Sequence, residues 1–254
     1  MATQNIAPGT TTLVPNAGDT VILEGGSASL VNGMDWSAVA DADIVEISGA
    51  FNGQFGTPAA PFICKVTTRF VIAASGGDTY WNSTGSGSTT SARLLLMGNS
   101  HVHFITAGTL TRAEIKGGIF SISTAVTVTN LFITSGKTYF YDSASTDPTL
   151  IEQQGGWLEL NRGATTLNHS SGQTIIDADA NAITTLVVNG PGVQLKNSGT
   201  ISTANCYGGV PDVSELGRAV TISATNIDVD LPGARQFLDH PLITHSAVTP
   251  IGRR

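Results

Sequence analysis

A short apolar motif recurs along this chain about every 19 residues. In each copy, a leucine is followed some five positions later by a glycine. The clearest copies begin at Leu131, Leu150, Leu167 and Leu186, so that successive anchors are 19, 17 and 19 residues apart. One copy is too small to bury its own apolar face. A repeat of this length therefore predicts a solenoid in which neighbouring copies stack.

Within the copies, apolar and polar residues alternate over short segments. Leu158 and Leu160 flank Glu159, so the two leucines share one face of a strand and the carboxylate lies on the other. The same alternation predicts that four further residues point inward: Phe120, Ile122, Val193 and Leu195. We therefore predict an all-β protein, a single-stranded parallel β-helix of about eight coils with a rung spacing of about 4.8 Å and glycine at the corners.

The composition agrees with this fold class. Charged residues make up 12% of the chain, about half of the roughly 25% that is usual for globular proteins. Helical bundles and coiled coils need long charged faces, so the composition excludes both. Hydrophobic residues reach 41%, which is enough for a core and excludes a disordered chain. A jelly roll stays open as an alternative, although its strand signals would lack a fixed anchor.

The repeat divides the chain into three segments. Residues 44–209 carry the β-helix. For residues 1–43 we predict an extended arm and a cap, because the end of a solenoid exposes a core that must be covered. For residues 210–254 we predict final strands and a C-terminal tail that docks on a partner rather than packing in a core.

Charge and hydropathy narrow the classes of partner. The net charge is −7, and no basic stripe is visible in the sequence, so nucleic-acid binding is not expected. The uncharged stretch 117–136 is interrupted by Ser, Thr and Asn, so we expect no membrane span. The first five residues do not resemble a signal peptide. Cys64 and Cys206 are expected to be buried thiols in a reducing compartment.

Two carboxylate pairs are candidate catalytic groups. Asp177 with Asp179, and Asp228 with Asp230, have the same-face strand spacing that a polysaccharide lyase or hydrolase on a β-helix would use. We expect solvated carboxylates at coil corners instead. The sequence therefore assigns no catalytic residue and predicts that the chain is not an enzyme.

Histidines and aromatic residues form the remaining clusters. His101 and His103 lie on one strand face, but no third ligand is near them in the sequence, so no metal site is predicted. Residues 80–81 and 139–141 are aromatic pairs or triplets that suit either sugar stacking or packing, and we expect packing. No cofactor and no small-molecule substrate are expected.

Several stretches of the chain resemble a known group of proteins. They are residues 43–58 (DIVEISGAFNGQFGTP), residues 79–82 (TYWN) and the repeated Thr-Leu-x-x-x-x-Gly units. They are similar to small β-helical proteins of tailed bacteriophages that act as head decoration, or cement, proteins. The resemblance implies a structural homotrimer that binds the major capsid protein and bridges capsomers. It also implies location on the capsid surface of the virion, after synthesis in the host cytoplasm, with no catalytic residues.

Both termini are predicted to contact the capsid. The uncharged N-terminal arm can add a strand to a partner sheet, and the C-terminal tail offers an apolar anchor and an adjacent basic pair that would favour an acidic capsid exterior. The candidate contact residues are Pro8, Thr10, Thr11, Thr12, Phe237, Leu238, Arg253 and Arg254.

Two other functions stay open at the level of sequence. One is a carbohydrate-binding or carbohydrate-cleaving β-helix of a receptor-binding tailspike. Such a protein would show an acidic groove, whereas Asp and Glu together number only 19 here. The other is a cell-surface adhesin, which would need an export signal.

Overall fold

The computed structural model describes residues 3–6, 18–24, 42–63, 66–82, 91–105, 108–123, 126–141, 147–178 and 182–252. The described residues form two compact units. The first extends to Asn130 and the second begins at Leu131. No helix among the described residues is long and apolar enough to cross a membrane.

Short strands build the first unit. In chain order they are β1 (Thr3–Ile6), β2 (Thr20–Leu23), β3 (Ala42–Ile47), β4 (Phe62–Ile63), β5 (Val66–Ile72), β6 (Asp78–Asn82), β7 (Ser91–Leu96), β8 (His101–Phe104) and β9 (Gly108–Ile122). The next strand, β10 (Val126–Phe140), contains the point at which the two units divide.

The second unit has the same character and adds one short helix. Its elements are β11 (Leu150–Gln153), β12 (Trp157–Leu160), β13 (Ala164–His169), β14 (Gln173–Asp177), β15 (Ile183–Val188), β16 (Val193–Asn197), β17 (Thr200–Cys206), β18 (Val220–Ile227), α1 (Ala234–Leu238), β19 (Ile243–His245) and β20 (Val248–Pro250).

Successive turns pair in parallel, which confirms the predicted parallel β-helix. A typical turn contributes one strand to each of two sheets. In the first unit, β3, β5, β7 and β9 pair in one series, and β4, β6, β8 and β9 pair in the other. In the second unit, β11, β13, β15, β17 and β18 pair in one series, and β12, β14 and β16 in the other. The solenoid has about nine turns, close to the eight expected.

Inward side chains stack on one another because the pairing is in register. In the first unit, Val45, Phe70 and Leu94 occupy the same position on consecutive rungs, and all are fully buried. Aromatic rings fill the space towards the second sheet. The ring of Phe70 lies 4.6 Å from that of Trp81, which stacks 4.8 Å from Phe104. The residues predicted to point inward at 120, 122, 158, 160, 193 and 195 are all buried.

The inward position predicted for Leu150 is wrong by one residue. Leu167 and Leu186 pair directly and are fully buried, as predicted. Leu150, however, pairs with Thr166 and is half-buried, and its neighbour Ile151 takes the inward position opposite Leu167. Both neighbours are apolar, and the pleat of a strand buries only one of any adjacent pair. The spacing of leucines alone therefore misplaced this rung.

Corner glycines stack on one another in the second unit. Gly156, Gly172 and Gly192 have φ values of 68°, 95° and 105°. A Cβ on Gly172 would lie 2.5 Å from the carbonyl oxygen of Gly156, so a larger residue at this corner would strike the turn beneath it. These corners explain why glycine recurs with the period of the repeat.

The two ends of the chain differ from the prediction. Strands β1 and β2 pair in parallel with each other, and β2 pairs in parallel with β3. They are rungs of the solenoid, so the β-helix begins well before residue 44. At the C-terminus, β19 pairs in parallel with the first part of β18, and β20 pairs in parallel with its last part. Backbone pairing of this tail corrects its assignment as a segment that does not pack.

The anchor correction predicts unequal effects for neighbouring substitutions. Ile151→Ala should lower the free energy of unfolding by about 2–5 kcal/mol, because it removes a fully buried side chain from a packed column. Leu150→Ala is the matched control and should cost clearly less. Denaturant titration measures both, and equal losses would contradict the register described here.

The stacked corner glycines predict that glycine-to-alanine substitutions at different positions destabilise the fold by different amounts. Gly172→Ala combines a positive φ with a backbone clash, whereas Gly233, with φ 83°, has no atom within 4 Å of an added Cβ. Gly233→Ala should therefore cost only the backbone strain, about 1–2 kcal/mol, and Gly172→Ala should cost more. Thermal unfolding of the two variants makes the comparison, and a smaller loss for Gly172→Ala would show that the corners are not closely stacked.

Candidate functional site

Three arginines occupy one outward position on consecutive rungs of the first unit. Arg69 on β5 pairs with Arg93 on β7, which pairs with Arg112 on β9. Each precedes an inward residue, so all three side chains lie on the outer face. Arg69 and Arg93 are exposed, and Arg112 is half-buried. Rungs are about 4.8 Å apart, so three cations lie within about 10 Å along the stack. We refer to these residues as the arginine ladder.

The ladder is only partly neutralised. Arg112 Nε donates to Glu114 Oε1 at 2.7 Å, and Lys116 Nζ lies 3.5 Å from Glu114 Oε2. Partial burial alone would raise the pKa of Glu114, but hydrogen bonds and charge from Arg112 and Lys116 lower it. Within the described ranges, no carboxylate forms an ion pair with Arg69 or Arg93. Like charges on paired positions destabilise a sheet, so the ladder is a candidate contact for an anionic surface.

No basic stripe is visible in the sequence, but the structure contains a row of three arginines. The three arginines are 24 and 19 residues apart along the chain, so no local window contains two of them. Parallel pairing brings them together. In the sequence, an arginine recurs two positions before a residue that is apolar in two turns and acidic in the third. This recurrence can be recognised only when the register between turns is known.

A second group of polar side chains lies on the outer face of the other sheet of the first unit. Asp78 pairs with His101, and Tyr80 pairs with His103, across β6 and β8. The intervening residues Thr79 and Val102 point inward and are buried. Strand alternation and the parallel register thus place two imidazoles and one carboxylate on a single small area of the surface.

The distances within this group are short. Asp78 Oδ1 lies 3.7 Å from His101 Nδ1 and 3.4 Å from His103 Nε2. His101 Nε2 lies 2.6 Å from the hydroxyl of Ser121 on β9. The ring of Tyr80 stacks on that of His103 with 4.4 Å between centroids and 5° between planes. We call Asp78, His101 and His103 the histidine cluster. It is the one group of at least three such side chains, among the described residues, whose donor atoms could hold a metal ion.

Electrostatics favour neutral imidazoles in this cluster. Burial lowers the pKa of His101, and the neighbouring His103 lowers it further, while Asp78 opposes both effects. Burial also lowers the pKa of His103, against the opposing hydrogen bond and charge of Asp78. Burial, and then the Asp78 charge, raise the pKa of Tyr80. Both imidazoles are therefore favoured in the neutral form, in which one of the two ring nitrogens carries no proton.

Sequence reasoning found the two histidines and missed the carboxylate. The expectation that His101 and His103 lack a nearby third ligand is wrong. Asp78 is 23 residues before His101 in the chain, but it lies directly beside His101 in the sheet. A search for ligands one repeat earlier would have found it.

Three of the four carboxylates in the two candidate catalytic pairs lie in the described residues. Asp177 Oδ1 accepts a hydrogen bond of 2.7 Å from Asn197 Nδ2, and Asp179 lies outside the described residues. Asp228 follows the end of β18 and accepts a hydrogen bond of 3.0 Å from the backbone N–H of Asp230. This second pair therefore belongs to a turn and does not share a strand face, which corrects the expected spacing.

The aromatic clusters divide between the two faces. Trp81 and Phe140 are fully buried, as expected for packing. Tyr139 and Tyr141 point outward, with ring centroids 6.5 Å apart and an angle of 12° between the planes, and Tyr141 is 47% exposed. Stacked, outward tyrosines are also the kind of surface that sugars contact.

The predicted capsid contacts are only partly described. Phe237 on α1 is fully buried, and its ring meets that of His245 at 5.2 Å, so it is not the exposed anchor that was expected. Leu238 is half-buried. The remaining candidates lie outside the described residues: Pro8, Thr10, Thr11, Thr12, Arg253 and Arg254.

The two cysteines can be placed only in part. Cys206 is buried in the second unit, and burial raises the pKa of its thiol to about 12, which keeps it protonated and inert. Cys64 lies outside the described residues.

A histidine that the repeat did not anticipate lies inside the second unit. His169 pairs with Gln153 on the rung before and Val188 on the rung after, at an inward position. Its Nε2 donates to the carbonyl oxygen of Pro191 at 2.8 Å, and its Nδ1 lies 3.0 Å from the hydroxyl of Thr174. Burial lowers the pKa of His169, against the opposing bond to Pro191.

Comparison of the chain with protein-family models, with curated proteins and with solved structures finds no match.

The buried histidine predicts a loss of stability in acid. Because its pKa is lowered on folding, the unfolded chain binds a proton that the folded chain does not. The contribution of His169 to the free energy of unfolding should therefore be fully present above about pH 6.5. It should fall as the pH drops below that value, with a slope of at most about 1.4 kcal/mol per pH unit for this one proton. His169→Gln should flatten the slope, as measured by denaturant titration at several pH values. Identical slopes for wild type and His169→Gln would contradict this assignment.

Proposed function

We propose that this chain is a structural virion protein that decorates a phage capsid and bridges capsomers. The observation that carries the proposal is the arginine ladder, a row of cations on consecutive rungs in a chain whose net charge is −7. The resemblance of residues 43–58 and 79–82 to head decoration proteins supports the same conclusion. The partner is the major capsid protein, and the protein resides on the outer surface of the virion.

Rigidity makes the ladder suitable for docking. Each rung is held by backbone hydrogen bonds to its neighbours, so the backbone positions from which the arginines project are fixed before any partner arrives. Preorganised contacts lose less conformational entropy on binding. Arginine also recognises carboxylates through two parallel hydrogen bonds, which suits an acidic capsid exterior.

The sign of the charge pattern favours one orientation. A basic row on an otherwise acidic molecule would turn towards an acidic surface and keep the remaining faces away from it. We also propose a homotrimer, because a local three-fold position on a capsid favours a ligand of the same symmetry. Its mass in solution should be three times 26.2 kDa.

A second candidate function rests on the stacked pair Tyr139 and Tyr141. Their outward rings favour a carbohydrate-binding β-helix of the kind found in receptor-binding tailspikes, since sugars stack on tyrosine rings. This candidate predicts glycan binding that is lost in Tyr141→Ala and unaffected by changes in the ladder.

The decisive experiment is co-sedimentation with empty capsids assembled from the major capsid protein of the same phage. Arg69→Gln with Arg93→Gln should weaken binding at least about tenfold and reduce its dependence on salt, because two cationic contacts are lost. Lys137→Gln, which removes an exposed cation of β10 outside the ladder and outside both termini, is the matched control and should bind like the wild type. Truncation after Gly252 tests the predicted contact of Arg253 and Arg254 in the same assay.

Light scattering should first establish that each variant keeps the mass of the wild type. Wild-type protein that does not sediment with capsids would contradict the decoration role. Normal binding by the double variant would place the contact elsewhere on the chain. Binding on a glycan array that Tyr141→Ala abolishes would favour the second candidate.

A further inference from the structure

We propose that Asp78, His101 and His103 bind one divalent transition-metal ion of the zinc class on the outer face of the first unit. Two imidazoles and a carboxylate form a ligand set that zinc uses, and imidazole also suits nickel, copper and cobalt. The inference does not rest on the capsid role. It concerns a different sheet of the first unit from the one that carries the arginine ladder.

The separations between the donor atoms fit such an ion. Ligands bound at about 2.0–2.1 Å from a tetrahedral zinc lie about 3.3–3.4 Å from one another. Asp78 Oδ1 is 3.4 Å from His103 Nε2 and 3.7 Å from His101 Nδ1, and all three donor atoms lie within 4.8 Å of one another. An ion can therefore be accommodated by small rotations of side chains, with no movement of the backbone.

The fold holds the ligands in place. His101 and His103 alternate with the fully buried Val102, which fixes the strand against the core. Asp78 is aligned by its direct pairing with His101. The Tyr80 ring stacks in parallel on His103 and restricts its rotation. Little ordering is left to occur when an ion binds, which favours affinity.

Ser121 supplies the outer partner that metal-bound histidines usually have. It lies on the next rung, with its hydroxyl 2.6 Å from His101 Nε2. The tautomer that donates Nε2–H to this hydroxyl leaves the lone pair of Nδ1 directed to the side where Asp78 lies. A hydrogen bond from the second ring nitrogen fixes both the tautomer and the orientation of a ligating imidazole.

The chemistry of the cluster follows from its ligand count. Three protein ligands leave a fourth tetrahedral position for water or for a carboxylate of a partner. One carboxylate and two neutral imidazoles give an occupied site a net charge of about +1. The ion would also cross-link β6 to β8, which are one turn apart, so its binding should stabilise the folded chain.

The test is titration of EDTA-treated, dialysed full-length protein with zinc chloride in a calorimeter. We expect one zinc ion per chain and an unfolding temperature that rises with zinc concentration, as for any ligand that binds only the folded state. Magnesium chloride should produce neither effect, because magnesium prefers oxygen ligands and water. Cobalt chloride should give visible absorption bands typical of four-coordinate geometry.

Three variants locate the site. Asp78→Asn keeps the size of the side chain and removes its charge, and the double variant His101→Ala with His103→Ala removes both imidazoles. Each should weaken zinc binding at least about tenfold, and the double variant should abolish the cobalt spectrum. His240→Ala removes a histidine of the second unit and is the matched control, with binding expected to equal that of the wild type.

Circular dichroism should show that every variant is folded. Absence of stoichiometric zinc binding by the folded wild type would overturn the proposal, and the cluster would then be a hydrogen-bonded group without an ion. Zinc binding that survives both Asp78→Asn and the double variant would also overturn it, since the ion would then lie elsewhere. If the double variant does not fold, Asp78→Asn and the cobalt spectrum of the wild type decide the question.

Discussion

The parallel hydrogen bonding between successive turns is the constraint on which the rest of this structure depends. It places the same position of each turn about 4.8 Å from its counterpart on the next, so residues stack in columns. Leu167 meets Leu186 inside the second unit, and Arg69 meets Arg93 outside the first. The side chains of each turn are therefore surrounded mainly by those of the turns before and after it. The consequence is a fold in which a local sequence matters mainly through what lies one turn away.

Stacking of like residues has opposite effects on the two faces. Inside, each apolar residue added to a column buries more surface and stabilises the fold. The rings of Phe70, Trp81 and Phe104 form such a series. Outside, a column of arginines repels itself and is stable only because the rungs beneath it are held by other contacts. The same geometry that packs the core therefore concentrates charge and ligands on the surface, where they can meet a partner or an ion.

Much of the interior could be predicted from the sequence. The alternation around Glu159 placed Leu158 and Leu160 correctly, because a strand has a period of two and the choice of face is local. The anchor at Leu150 failed because two adjacent apolar residues fit the repeat equally well. Phe237 was wrongly predicted to be exposed because it lies beyond the regular repeat. Its burial depends on the position of α1 and on contact with the ring of His245, which no local pattern reveals.

The sequence by itself determined the class of fold, because a period near 19 residues, short alternating strands and recurrent glycine are compatible with stacked turns and with little else. Only the tertiary structure decided which side chains meet across turns. The distance along the chain between paired residues ranges from 16 for Ile151 and Leu167 to 25 for Val45 and Phe70, because the corners and loops differ in length. A slip of one residue in the pairing of a strand moves the side chains of that strand to the opposite face. The neighbourhood of Asp78 and His103, and the arginine ladder, depend on that register and become visible only once it is known.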